Sequence, residues 1–584
     1  MSAEANVTGG RDPRLAVVGI FLVVCAAPLM IFPASTAPYA DIKQLVVAGG
    51  AALLFFSTTD VDRRLAAAVA LWVATLVAAS ATGVDPLMST FGTPDGNGVG
   101  LITILSCGVL IVCGTAVHGA VRQRVPVWLL NTACVVAAVA VVEKVLAAGA
   151  VQELGGSGSL LGQPVLTGAL LGTALVAAGG IRPTASWAAR LALVSTGLSF
   201  TGNRTGWIAA AAGFAILFAT SRQRRPVVVA GAVIVTTATC WILVERAAAP
   251  AEGHTRLSPA ARLAEVEYGS SARQRLYYWS GSLKALAARP LLGWGPGNTG
   301  GAFLTSASVT DLRGARTSCI DRSGASGGPS GASLATFTLD DPHNIFVASA
   351  VTGGVVGLVT FCVVLGLVAA RSTRSRERAW EVPVACALLI PHLLQPQSVI
   401  LTPLWFLFLG FVATGRGPVR TPPRWSWLGA VCVLVVGLAS ARMTASVLES
   451  YARTYGSPRA LALAATIEPG RVSALDALAL DRALDGRSGV PGAADEARET
   501  VRTAVAQHPW HPSVRLTASN VEILLKNPSA ARTWTHRHLE RFPYDPRALA
   551  GAARLAEESG EPVPTADFRN RIDRGHLHLK EACT

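Results

Sequence analysis

The chain reads as an all-α, polytopic membrane helix bundle of about 12–13 transmembrane helices, with a large extracytoplasmic loop and a C-terminal helical-repeat domain. Three observations lead there. Of 584 residues, 51% are hydrophobic and 15% charged, with a mean hydropathy of +0.44, which is more apolar material than one soluble core uses. The apolar residues gather in stretches long enough to cross a bilayer, separated by short Arg-bearing or Gly-rich connections. Beyond residue 445 the composition changes to Ala, Leu, Arg and Glu at helical spacing.

In order, the stretches are 15–33, 45–58, 65–82, 100–117, 126–149, 160–180, 186–201, 205–220, 226–245, 344–370, 382–397, 399–414 and 425–443. Arg11 and Arg14 precede the first, which is too long for a signal peptide's apolar core and is expected to remain as an uncleaved helix. The net charge of +14 is not a nucleic-acid footprint. Its arginines lie in connections: Arg63-Arg64, Arg122 and Arg124, and the runs within 222–225, 371–378 and 416–424. With a cytoplasmic N-terminus all of these fall inside, as the positive-inside rule requires, and no nucleic-acid partner is expected.

The same orientation places the Gly/Ser/Asp-rich connections near 38–41, 83–98, 152–159 and 202–204 outside, together with the loop 246–343 and everything from 446. Two domains follow: a transmembrane domain, 1–445, that includes the loop, and an extracytoplasmic helical domain, 446–584. Within the loop, 257–292 has helical periodicity, whereas 305–338 is rich in Gly, Ser and Thr and is expected to be mobile or lid-like. In the tail, His508-Pro509-Trp510-His511-Pro512 recurs as Phe542-Pro543-Tyr544-Asp545-Pro546, a spacing of 34 that matches the tetratricopeptide period. Two to three such repeats would form a docking surface for a protein partner, separable from the membrane part. Eight of the ten cysteines lie in apolar stretches, and neither a disulfide framework nor zinc spacing is present.

Asp340-Asp341-Pro342-His343-Asn344 sits where the loop enters a membrane helix, an expensive place for ionisable groups without a partner or a task. Asp341 is accounted for by helix capping alone. A neutral imidazole at His343 would suit proton abstraction from a hydroxyl, with a neighbouring carboxylate to orient it. Arg204, in Asn203-Arg204-Thr205-Gly206-Trp207, is an outward arginine that either snorkels to headgroups or binds an anion, and its planar fork suits a diphosphate. Arg273 and Arg275 open an amphipathic helix whose Tyr277, Tyr278 and Trp279 suit an interface. Gly293-Trp294-Gly295-Pro296-Gly297 lacks the preceding strand of a nucleotide loop and reads as a tight turn.

Taken in order, these motifs give a family resemblance over about residues 65–415. Asp85-Pro86 in an early outer loop, Asn203-Arg204, Arg275-Leu-Tyr-Tyr-Trp279, Gly293 to Gly297, and His343-Asn344 followed by Gly353-Gly354 together resemble the bacterial O-antigen ligase and O-antigen polymerase superfamily. The resemblance implies a membrane glycosyltransferase that moves a glycan from a polyprenyl-diphosphate-linked donor to a glycan, lipid or protein acceptor, using neither nucleotide sugars nor metal, so no cofactor is expected. It implies that Arg204 and Arg275 hold the diphosphate and that His343 activates the acceptor hydroxyl. Arg273, which competes with Arg275 for its role, is expected at the substrate with Asp341, Asn344 and Trp279. Gly162-Gln163-Pro164 departs from the Asn-rich motif common there.

Two other classes compete. A metal-dependent polyprenyl-phosphate glycosyltransferase wants a spaced pair of carboxylates in the first outer loop, where only Asp41 stands. A polysaccharide transporter or flippase wants repeats within the membrane part, and none is evident.

Overall fold

The computed structural model describes residues 13–58, 61–93, 99–150, 158–221, 224–248, 271–308, 311, 341–372, 380–414, 426–543 and 545–559. Among them the chain is helical, apart from one isolated bridge between Gly92 and Val99. It is a polytopic, all-α membrane bundle. Four helices are long and apolar enough to span by themselves: Arg63–Thr82, Gly119–Val145, Ile345–Ser372 and Leu428–Tyr455. Many of the remaining expected spans form shorter apolar helices, including Pro164–Ala178, Arg204–Thr220, Glu381–Leu394 and Leu401–Ala413. Prolines at starts or ends and Gly179-Gly180 cut these short, and a 15-residue helix rises only about 22 Å. The Gly/Ser/Thr-rich 305–338 segment lies largely outside the described residues.

The chain divides into two compact units: Met1–Ala74, Ile102–Glu267 and Val359–Met443 form one, and Thr75–Leu101, Tyr268–Leu358 and Thr444–Thr584 the other. The second unit takes in the tail from Thr444 together with two earlier segments of the chain.

In the first unit, the helices Pro164–Ala178 and Arg204–Thr220 pack backbone against backbone. A Cβ on Gly172 would lie 2.2 Å from the Gly206 carbonyl oxygen, and one on Gly206 would lie 2.3 Å from that of Gly168. Small residues are what let apolar helices approach this closely. Asn203 caps the second helix, accepting from the N–H groups of Thr205 and Gly206. Deeper in this unit, Arg442 donates to Asp41 at 2.9 Å, a fully buried ion pair between helices Asp41–Ser57 and Ser426–Tyr455.

The second unit is organised around a broken helix. Ile345–Ser372 is interrupted at Gly354, whose φ of 66° and ψ of −167° suit only glycine. The break releases two carbonyls and two N–H groups, and the segment from Pro290 to Gly295 satisfies all four. Trp294 and Gly295 N–H donate to Val351 and Thr352 at 2.9 and 3.0 Å, while Val355 and Val356 N–H donate to Pro290 and Leu291 at 2.7 and 3.3 Å. The fit needs bare backbone on both sides, since a Cβ on Gly354 would lie 2.1 Å from the Leu291 oxygen and one on Gly293 2.3 Å from that of Val351. The expected tight turn is therefore a backbone plug in a broken helix.

Around the plug, the indole of Trp294 donates to Ala285 at 2.8 Å, and Asn298 donates to Ser89 Oγ at 2.8 Å and the Asp85 carbonyl at 3.2 Å. Asp85 caps the helix Pro86–Phe91 through the Met88 N–H, and its other carboxylate oxygen meets His508 Nδ1 at 2.6 Å. Met88 shares an apolar core with Val472, Leu475, Ala504 and Val514. The tail is thus joined to the early loop by a buried polar pair and a common core. Its helices follow one another from Pro458–Ile467 to Pro546–Ser559; the first proline phrase occupies the connection after Ala493–Gln507, and Phe542 and Pro543 of the second follow Pro528–Arg541.

Gly354→Ala should destabilise the folded protein by about 1–3 kcal/mol from backbone strain alone, with more from overlap with Leu291. Gly437→Ala, on a helix face with nothing within 4 Å, should leave stability unchanged or slightly raised. Thermal unfolding of both variants in detergent checks the contrast.

Candidate active site

His343 occupies a turn built by its own neighbours. Pro342 cannot donate a backbone N–H. Asn344 caps the helix that starts at Ile345, its side-chain oxygen accepting from Phe346 and Val347 N–H at 3.0 and 3.2 Å. The capping role that sequence offered to Asp341 therefore falls to Asn344. The Asp341 carboxylate instead accepts the His343 N–H at 2.7 Å, holding His343 at a φ of 60°, a left-handed conformation that costs energy for any residue but glycine.

The ring is oriented in the same way. His343 Nδ1 lies 2.8 Å from the Asp341 carbonyl oxygen. A carbonyl only accepts, so Nδ1 carries the proton and Nε2 keeps its lone pair. Burial pushes the His343 pKa down, the bond to Asp341 works the other way, and the positive charge of Arg275 pushes it down further. The ring is held neutral, with its basic nitrogen not used by this turn.

The helix Ser271–Ala288 supplies the other wall. Residues 275, 278 and 279 share one face by the 3.6 period. Tyr278 lies against the His343 ring with centroids 5.2 Å apart and planes inclined at 36°. Gln274 donates to the Tyr278 hydroxyl at 2.7 Å, and burial pushes the phenol up to about 12, so it stays protonated. Trp279 donates its indole N–H to the Pro342 carbonyl at 3.0 Å, tying the histidine turn to this helix. Arg275 is half-buried, and burial lowers its pKa without discharging a guanidinium. Among the described residues it forms no ion pair.

The structure thus gathers Arg275, Tyr278, Trp279, Asp341, His343 and Asn344 in one unit. Arg204 belongs to the other, exposed at the first position of the helix Arg204–Thr220. Arg273 falls in the first turn of the Arg275 helix, and its side chain lies outside the described set, as does Asp340. Gly162 adopts a φ of 75° against the Tyr39 ring and Pro164 starts the next helix, so that motif shapes a turn and helix start. Sequence reasoning did not single out Gln274, although its i,i+4 spacing to Tyr278 was available.

The arrangement offers a proton acceptor, an adjacent uncommitted cation and a protonated phenol. It suits transfer in which a hydroxyl attacks while an anionic group departs. Residues 189–362, which include Arg204, Arg275 and His343, match the family model described as O-antigen ligase. Neither the curated proteins nor the solved structures contain a match to the chain. With the polytopic helical architecture, the match makes this segment of the membrane protein similar to O-antigen ligases.

Proposed function

We propose that the protein transfers or polymerises a glycan from a polyprenyl-diphosphate carrier at the outer face of the cytoplasmic membrane, without metal. The observation that carries this reading is the Nδ1–H to Asp341 carbonyl bond, which leaves His343 Nε2 as a base beside Arg275. In the step, the acceptor oxygen forms a bond to the anomeric carbon while the bond from that carbon to the diphosphate oxygen breaks. The hydroxyl proton goes to Nε2, and the diphosphate leaves with its charge neutralised by Arg275. Asp341 and Asn344 act by shaping the turn, and Trp279 by anchoring it. The tail, on the same side of the membrane, would carry tetratricopeptide-like repeats for a protein partner.

His343→Ala should abolish transfer, a loss of at least about a hundredfold, with expression and thermal stability near wild type. Carrier-linked glycan consumption by purified protein measures it, and wild-type turnover would overturn the assignment. Arg275→Lys should lose about tenfold or more, since the charge persists but the planar fork does not.

The pH profile gives a second handle. Transfer needs neutral His343, whose pKa lies below the ordinary histidine range, so activity should hold through neutral pH and fall only in acid. Arg275→Gln removes a positive neighbour that holds this pKa down, so the acid limb of the residual activity should move to higher pH. A profile that stays in place would remove His343 as the titrating base. The same assay in EDTA should run undiminished; loss restored by Mg²⁺ or Mn²⁺ would favour a metal-dependent transferase.

A further inference from the structure

The tail holds a cluster of arginines that the transfer chemistry does not use. Arg515 and Arg541 both donate to the single carbonyl oxygen of Pro509, at 2.7 and 2.8 Å, which keeps the two guanidinium groups within a few ångströms of each other. Arg541 also lies over the Trp510 ring, 3.9 Å from its centroid, and Arg537 lies 5.2 Å from that of Trp534. Among the described residues none of the three forms an ion pair. Glu540 favours the Arg515 charge, while burial, Arg541 and Arg537 all oppose it. A peptide carbonyl thus stands where such a group of cations would ordinarily have a carboxylate, and the mutual repulsion is left for an incoming anion to relieve.

We propose that Arg515, Arg537 and Arg541, with Trp510 and Trp534, form a binding site for an acidic glycan whose charge is carried on carboxylates. Planar forks accept carboxylates bidentately, and the indole rings hold two of those forks in place. The site is continuous with the candidate active site. Trp510 meets Trp294 edge to face at 5.5 Å, and its carbonyl oxygen lies so close to Gly301 that a Cβ there would be 2.7 Å away. Gly301 belongs to the helix Thr299–Ser306, whose Phe303 packs on Tyr278, the residue against His343. This continuity favours the polymer that the enzyme handles over an unrelated protein, and to that extent the inference rests on the glycan-transfer reading.

The test is titration calorimetry of the full chain in neutral detergent with hexagalacturonate, maltohexaose and hexaglutamate. Hexagalacturonate should bind saturably, with affinity reduced about tenfold or more in Arg515→Gln/Arg541→Gln and severalfold in Arg537→Gln, a surface change that spares the fold. Maltohexaose should not bind. His343→Gln should bind like wild type, which separates failure of this site from failure of the transfer chemistry. No saturable binding of hexagalacturonate, or undiminished binding by both arginine variants, overturns the proposal. Equal binding of hexaglutamate also overturns it, reassigning the surface to an acidic protein.

Discussion

The break in the helix Ile345–Ser372 at Gly354, and the four backbone hydrogen bonds that Pro290 to Gly295 make across it, constrain everything else in the second unit. Open backbone groups in an apolar helix are costly unless protein satisfies them. Here one segment satisfies both ends of the break, and so fixes the chain leaving the Arg275 helix against the helix that begins beside His343. Further contacts extend outward from the plug. Trp294 returns to Ala285 on the Arg275 helix, Asn298 grips the Asp85 loop, and Asp85 holds His508 of the tail. A glycine pair and a short glycine-rich segment thereby relate parts of the chain hundreds of residues apart.

Within that frame, His343 is set by local chemistry. Asp341 acts twice on its neighbour, once through its carboxylate on the backbone N–H and once through its carbonyl on Nδ1. The left-handed backbone at His343 is a local cost that the surrounding bonds over-determine, the usual pattern where strain accompanies function. Arg275 then has two effects from one position: it offers a cation to a leaving group, and it disfavours the imidazolium, keeping the base free. Burial of the ring and of the Tyr278 phenol works toward the same neutral resting state.

Much of this was legible in the sequence, for identifiable reasons. Helix starts near 344 and 204 are local events, written in Asn344 and Asn203 as caps, and both were found within a residue. The grouping of Arg275, Trp279 and His343 was reachable through family resemblance, whereas their contacts are tertiary. The break at Gly354 was hidden because apolar content continues through both halves, so hydropathy reports one helix. His508 belongs to a recurring phrase, but its partner Asp85 lies 423 residues earlier, and no periodicity carries that information. The tail was expected to be independent because its own spacing closes a helical stack. What joins it to the early loop is Met88 and Asp85, which look like ordinary loop residues until packed.

The most direct test of the central claim is the protonation state of the His343 ring. Solid-state NMR of ¹⁵N-histidine-labelled protein in membranes, with the His343→Gln spectrum subtracted to isolate one of ten histidines, reads it without reference to turnover. The ring should be neutral near neutral pH, protonated at Nδ1 and bare at Nε2. A ring protonated at Nε2 alone, or an imidazolium, would contradict this.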